Sequence, residues 1–285
     1  METLRSVAEI RRAISAWRAK SESIGLVPTM GALHAGHLAL VAAARRSCGR
    51  VVASVFVNPT QFGPNEDLAT YPRDEAGDSR KLAAAGVDVM FAPDVSEMYA
   101  EGFSTSVKVK GMTEGLCGAF RPVHFEGVTT IVTKLLLQVM PDVAFFGEKD
   151  YQQLRVIERL VRDLDIPVRI VGVATVREED GLALSSRNQY LSPAERKVAP
   201  MLFGTLRVLA DALAQGEESG IRPADAIENA KRDLLAAGFS KIDYLELRDA
   251  ATLAPLAVPG REGRLLAAAW LGRTRLIDNV PVRVA

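Results

Sequence analysis

Over residues 24–173 of this 285-residue chain, short apolar runs alternate with amphipathic stretches. The run at 51–57 is continuous and rich in β-branched residues, which predicts a strand covered on both faces, and those at 24–27, 87–91, 142–146 and 168–172 read as further buried strands. Between them, residues 38–44, 73–85, 125–140 and 151–161 read as helices, with Val128, Ile131, Val132, Leu135, Leu136 and Val139 at helical spacing. This alternation predicts an α/β fold over 1–175: a Rossmann-like parallel sheet with right-handed crossovers and helices on both faces. Leu4, Val7, Ile10, Ile14 and Trp17 predict one more helix within residues 1–20, and a short strand is expected at 106–110. The pattern changes near Val176. Ser192-Pro193 is a helix start by capping chemistry. Helices over 194–214 and 224–237, with strands over 241–248, 264–271 and 274–280, predict a smaller α+β C-terminal domain, 176–285, carrying a short antiparallel sheet.

Charge and cysteine usage narrow the function classes. Thirty-five basic and 35 acidic residues cancel, which removes the electrostatic footprint of a non-specific nucleic-acid binder, so no nucleic-acid partner is expected. Cys48 and Cys117 lack C-x-x-C spacing, consistent with small buried thiols in a reducing cytoplasm. No apolar stretch is long enough to cross a bilayer, so no membrane partner is expected. Glu2 and Glu9 interrupt the N-terminal arginines, and there is no apolar signal core.

Candidate chemistry falls at strand-to-helix turns. Pro28, Thr29, Met30, Gly31, His34, Gly36 and His37 lie between the run at 24–27 and the helix formers at 38–44. A helix N-terminus there offers free N–H groups, and two imidazoles three positions apart can donate to one bound phosphate. A metal pair and a structural histidine pair are the alternatives that this stretch alone leaves open. The run Gly147-Glu148-Lys149-Asp150-Tyr151-Gln152-Gln153 repeats the strand-glycine-helix arrangement. It predicts Lys149 on a phosphate, Asp150 accepting from a ribose hydroxyl, and Gln153 one turn on, facing the same crevice; a solvated helix start is the plain alternative. Asn58 and Gln61, beyond the strand at 51–57, can orient a hydroxylated acid or merely shape a turn. Ser185-Ser186-Arg187-Asn188, near the domain junction, is either a phosphate clamp or an ordinary loop.

These stretches also carry a resemblance. His34-Ala35-Gly36-His37 resembles the HxGH signature of the nucleotidyltransferase superfamily, and Val27-Pro28-Thr29-Met30-Gly31 before it narrows the likeness to the pantothenate synthetases, the pantoate:beta-alanine ligases. Phe145-Phe146-Gly147-Glu148-Lys149-Asp150 and Ser185-Ser186-Arg187-Asn188 are similar to further segments of that family, Leu184 standing where methionine is common. The resemblance implies ATP-dependent condensation of (R)-pantoate with beta-alanine through a pantoyl-adenylate, a step toward coenzyme A, by a homodimer. ATP would be the co-substrate, with Mg2+. It implies ATP contacts from Met30, Gly31, His34, His37, Gly147, Glu148, Lys149, Asp150, Val176, Leu184, Ser185, Ser186 and Arg187. Of these, His34, His37, Lys149 and Arg187 would carry the catalysis. Substrate contacts would come from Pro28, Thr29, Met30, Asn58, Gln61, Tyr71 and Gln153. Arg121 and His124 match a further family segment, and Asp78 is a weak candidate for a Mg2+ contact. A plain nucleotidylyltransferase, a tRNA synthetase fragment and a nucleotide sensor are the rival readings.

Overall fold

Six parallel strands, β1 (Glu2–Leu4), β2 (Ile24–Thr29), β3 (Arg50–Val55), β4 (Val89–Phe91), β5 (Val143–Gly147) and β6 (Arg169–Val173), form one sheet in the order β1-β4-β3-β2-β5-β6. The computed structural model describes residues 1–64, 66–215, 222–258 and 262–283. From β2 the chain steps outward through β3 and β4, then returns to β2's other side with β5 and β6. The strand order therefore reverses between β2 and β5. In open parallel sheets, ligands bind beyond the strand carboxyl ends at such a reversal.

Alternate residues of each strand feed two cores. Leu26, Val52, Phe91, Ala144 and Phe146 pack on one face with α1 (Val7–Arg18), α6 (His124–Val139) and α7 (Tyr151–Asp163). Val27, Val51, Ala53, Met90 and Phe145 pack on the other with α2 (Ala35–Ser47) and α3 (Glu75–Ala84). Both faces being covered explains why the strands read as continuous apolar runs. Two short helices, α4 (Val95–Met98) and α5 (Cys117–Phe120), sit in the irregular stretch before α6.

The C-terminal region holds α8 (Pro193–Val198), α9 (Met201–Ala214) and α10 (Pro223–Ala236), followed by the antiparallel sheet β7 (Lys241–Asp249), β8 (Gly263–Leu271) and β9 (Thr274–Val282). Leu206, Leu209, Leu213, Leu234, Leu265 and Val280 form its core.

Three expectations are corrected. The N-terminal segment is not all helix: Glu2–Leu4 pairs with β4 at the sheet edge, and α1 starts only after Ser6, whose side chain forms a capping box with Glu9. The helix expected over 194–214 is two, because Pro200 has no N–H to continue the ladder. Residues 106–110 form no strand. There the Val107 N–H donates to Thr130 Oγ1 at 2.9 Å and its carbonyl accepts from Thr129, so side chains of α6 satisfy that backbone instead.

Candidate active site

Beyond β2 the chain turns through Gly31 at φ +81° and Ala32 at φ 49° before entering α2. A buried carboxylate holds that turn. Asp78, 1% exposed, accepts from the N–H groups of Ala32 at 2.8 Å and Leu33 at 2.7 Å, while Lys81 Nζ donates to the Leu33 carbonyl at 2.7 Å. A Cβ at residue 31 would lie 3.0 Å from Asp78 Oδ2, so glycine is needed for space as well as for its φ. Asp78 was also expected as a weak Mg2+ contact. Its two oxygens serve the backbone, and no group of three or more His, Cys, Asp or Glu side chains placed to hold a metal occurs among the described residues.

His34 caps α2. Its Nδ1 accepts from the Gly36 N–H at 3.1 Å, and His37 Nδ1 accepts from the His34 N–H at 3.3 Å. An imidazole that accepts at Nδ1 carries its proton on Nε2 when neutral. Both rings are neutral. Burial, then the cationic Lys149, pushes His34 down to about 4, and burial, then neighbouring His34, pushes His37 down to about 3. The ring centroids are 4.1 Å apart. The turn thus presents two Nε2–H donors at a helix N-terminus, an arrangement suited to negative charge.

A stability prediction follows. Buried His124 is also pushed down to about 3, first by burial and then by Arg121. Between the ordinary value of 6.5 and about 3, the unfolded chain binds protons at His37 and His124 that the folded chain does not. Stability from these groups is complete above pH 6.5 and falls as pH drops, at most about 1.4 kcal/mol per pH unit for each ring. The more exposed His34 adds less. Urea midpoints are expected to fall from pH 7 to pH 5; a flat profile would contradict the buried neutral assignments.

Beyond β5, residues Glu148–Asp150 form a single 3₁₀ turn leading into α7. Asn279 of β9, 4% exposed, donates its amide to the carbonyls of both Glu148 and Lys149 at 2.9 Å. The C-terminal sheet thereby fixes the turn that carries Lys149. The Glu148 side chain lies 3.4 Å from Arg264, and Lys149 Nζ lies 3.8 Å from Asp150.

Two loops supply the remaining groups. Asn58 is 1% exposed; its Nδ2 donates to Gln61 Oε1 and to the Gly127 carbonyl, each at 3.1 Å, and its Oδ1 accepts from the Tyr99 hydroxyl at 2.8 Å. It acts behind Gln61, whose amide nitrogen is 3.0 Å from Met30 Sδ. A Cβ on Gly127 would stand 2.4 Å from the Thr60 carbonyl oxygen, so only glycine lets α6 run this close to the Gln61 loop. On the second loop, Arg187 pairs with Asp67 at 2.8 and 2.9 Å, and Tyr71 reaches Ser186 at 3.3 Å.

These elements enclose a cavity of about 230 Å³. Pro28, Thr29, Met30 and His34 line it from β2 and its turn and His37 from the start of α2, while Gly147, Lys149 and Asp150 line it from β5 and its turn and Gln153 from the start of α7. Gln61, Tyr71, Val176, Leu184, Ser185, Ser186 and Arg187 complete the expected set. Gly31, Asn58, Glu148 and Asp78 are not in its lining: the first shapes the turn, the second and fourth brace backbone and amide groups, and Glu148 pairs with Arg264. A second cleft of about 1010 Å³, walled by the C-terminal sheet, shares Arg121, His124, Lys149, Asp150 and Arg187 with the first. Sequence reasoning missed the apolar wall that Val128, Ile131 and Val132 of α6 present to the cavity, because their helical spacing reads as core. It also missed Asp67, Tyr99 and Asn279, which only the fold brings near.

A family model described as pantoate-beta-alanine ligase matches residues 2–281. The chain is 60% identical over 279 residues to the pantothenate synthetase of Paramagnetospirillum magneticum, covering 98% of this chain and 97% of that one. It is 58% identical to that of Rhodospirillum rubrum, with 98% of each chain covered. The crystal structure of pantothenate synthetase from Thermus thermophilus superposes with a TM-score of 0.92 at 51% identity, covering 99% of this chain and all of that one. A pantoate-beta-alanine ligase from Francisella tularensis, solved with beta-gamma ATP and beta-alanine, superposes at a TM-score of 0.81 and 33% identity, covering 98% and 97%. Matched along essentially its whole length in sequence and in fold, the chain belongs to the pantoate-beta-alanine ligase family.

Proposed function

We propose that this chain condenses (R)-pantoate with beta-alanine at the expense of ATP, in two half-reactions. The pantoate carboxylate attacks the α-phosphorus of ATP, pyrophosphate leaves, and a pantoyl-adenylate forms. The beta-alanine amine then attacks the acyl carbon and AMP departs. A carboxylate is a poor acyl donor, and adenylation supplies the leaving group.

The observation that carries this reading is the meeting, in one cavity at the sheet's reversal point, of two neutral Nε2–H donors and a lysine turn. Charge growing on the α-phosphate and on departing pyrophosphate is met by preorganised donors, which cost no reorganisation during reaction. Lys149, Ser185, Ser186 and Arg187 hold the phosphates; Arg187 exchanges part of its pairing with Asp67 for them. Gln61 and Gln153 take the pantoate hydroxyls, and Val128, Ile131 and Val132 cover its two methyl groups. Mg2+ enters on the ATP phosphates and water, as a small hard cation commonly does. Asp150, the one carboxylate lining the cavity among the described residues, stands beside Lys149.

The C-terminal region, 176–285, acts as the closing domain through Asn279 and the Ser185–Arg187 loop. The protein is a homodimer of the cytoplasm on this reading. Among the described residues no helix is long and apolar enough to cross a membrane. Isotope exchange between pyrophosphate and ATP tests the chemistry: exchange that requires pantoate, followed by beta-alanine-dependent AMP release, is the expected result. Pantoate-independent exchange, or AMP release without an amine, would overturn it.

A further inference from the structure

The two histidines at α2 present N–H donors, and the third histidine has the opposite polarity. His124 opens α6 and is 9% exposed. Its Nδ1 lies 3.0 Å from the backbone carbonyl of Gln61. A carbonyl only accepts, so Nδ1 carries the proton and Nε2 keeps its lone pair. No hydrogen bond to Nε2 is formed among the described residues, and the ring lines both the 230 Å³ cavity and the larger cleft. His124 therefore stands where the two meet, its Nδ1–H donating to the backbone carbonyl of Gln61.

We propose, resting on the ligase reading above, that His124 Nε2 accepts an N–H of beta-alanine's nitrogen and takes a proton from it in the amide-forming step. Beta-alanine arrives as an ammonium and must shed two protons. One goes to water as the lone pair is exposed. The other passes to His124 as the C–N bond forms and the acyl C–O bond breaks, its electron pair leaving on the AMP phosphate. His34 and His37 are unsuited to this work, since each has its Nδ1 lone pair tied to a backbone N–H and its proton on Nε2. The other nearby carboxylates all stand beside cations: Glu66 pairs with Arg121, Asp150 lies beside Lys149, and Asp67 keeps part of its pairing with Arg187. Burial keeps the His124 ring neutral in the empty site. The adenylate's phosphate charge, once bound, favours the imidazolium.

The test separates the half-reactions in His124→Phe, which keeps a planar ring against Phe125, and His124→Gln. Pantoate-dependent pyrophosphate exchange is expected to stay within a few-fold of the parent. Beta-alanine-dependent AMP release should fall about 100-fold in the phenylalanine variant and about tenfold in the glutamine variant. Hydroxylamine, already unprotonated at neutral pH, bypasses only the first deprotonation and must still lose a proton as its C–N bond forms, so its capture of the adenylate should fall by a similar factor in both variants. Equal losses in the two half-reactions, hydroxylamine capture undiminished while the beta-alanine step falls, or an undiminished beta-alanine step would overturn the proposal. If the phenylalanine variant fails to fold, the glutamine variant decides by the same comparison. Absence of exchange in the parent would instead remove the ligase reading itself.

Discussion

Replacing His37 with alanine is expected to slow pantoate-dependent pyrophosphate exchange by about 100- to 1,000-fold, the loss of roughly 3 to 4 kcal/mol that follows removal of one preorganised donor. The ring is partly buried and neutral, and its Nδ1 is occupied by the His34 N–H, so its Nε2–H is already directed when substrate arrives. The same substitution removes a capping contact at the start of α2, for which about 1 kcal/mol of stability is the ordinary cost. Circular dichroism and the urea midpoint should therefore show a folded protein, somewhat less stable, whose exchange rate has collapsed. A folded variant exchanging at the parent rate would remove His37 from the chemistry.

Asp78→Ala is expected to act on the fold. Two hydrogen bonds to a buried carboxylate are lost at once, and the N–H groups of Ala32 and Leu33 are left without their partner. At about 1.5 to 3 kcal/mol for each bond to a charged group, the loss is roughly 3 to 6 kcal/mol, a large share of a typical domain's stability. Asp78→Asn keeps one accepting oxygen and should lose about half as much. The expected signature of the asparagine variant is a lowered urea midpoint with an unchanged Mg2+ concentration for half-maximal exchange. An unchanged midpoint with a raised Mg2+ requirement would instead favour the metal role that the sequence suggested for this residue.

Much of this molecule can be read along the chain, for a physical reason. Strands covered on both faces leave apolar runs, and glycine or proline follows or closes β3 and β5, so these strands and β2 were legible together with the turns beyond them. The histidines and Lys149 were legible because a strand-to-helix turn is local and the motifs lie within a few residues. The bracing role of Asp78 was not legible, because its partners, the backbone N–H groups of Ala32 and Leu33, lie 46 and 45 positions away. Asn279 was invisible for the same reason: it reaches across 131 and 130 positions to two carbonyls of the lysine turn. The edge strand β1 escaped because its three residues carry too little pattern of their own beside the strong periodicity of α1. The apolar wall of α6 was read as core, since periodicity reports burial and does not tell a cavity lining from packed interior.

A crystal structure with a non-hydrolysable ATP analogue and pantoate tests most directly whether the two turns serve one nucleotide. The expected result is an α-phosphate within hydrogen-bonding distance of Nε2 of His37, with Lys149 Nζ on the same triphosphate and the pantoate carboxylate in line behind the phosphorus. A triphosphate bound along the Lys149 turn alone, with both imidazoles facing solvent or a different ligand, would contradict it.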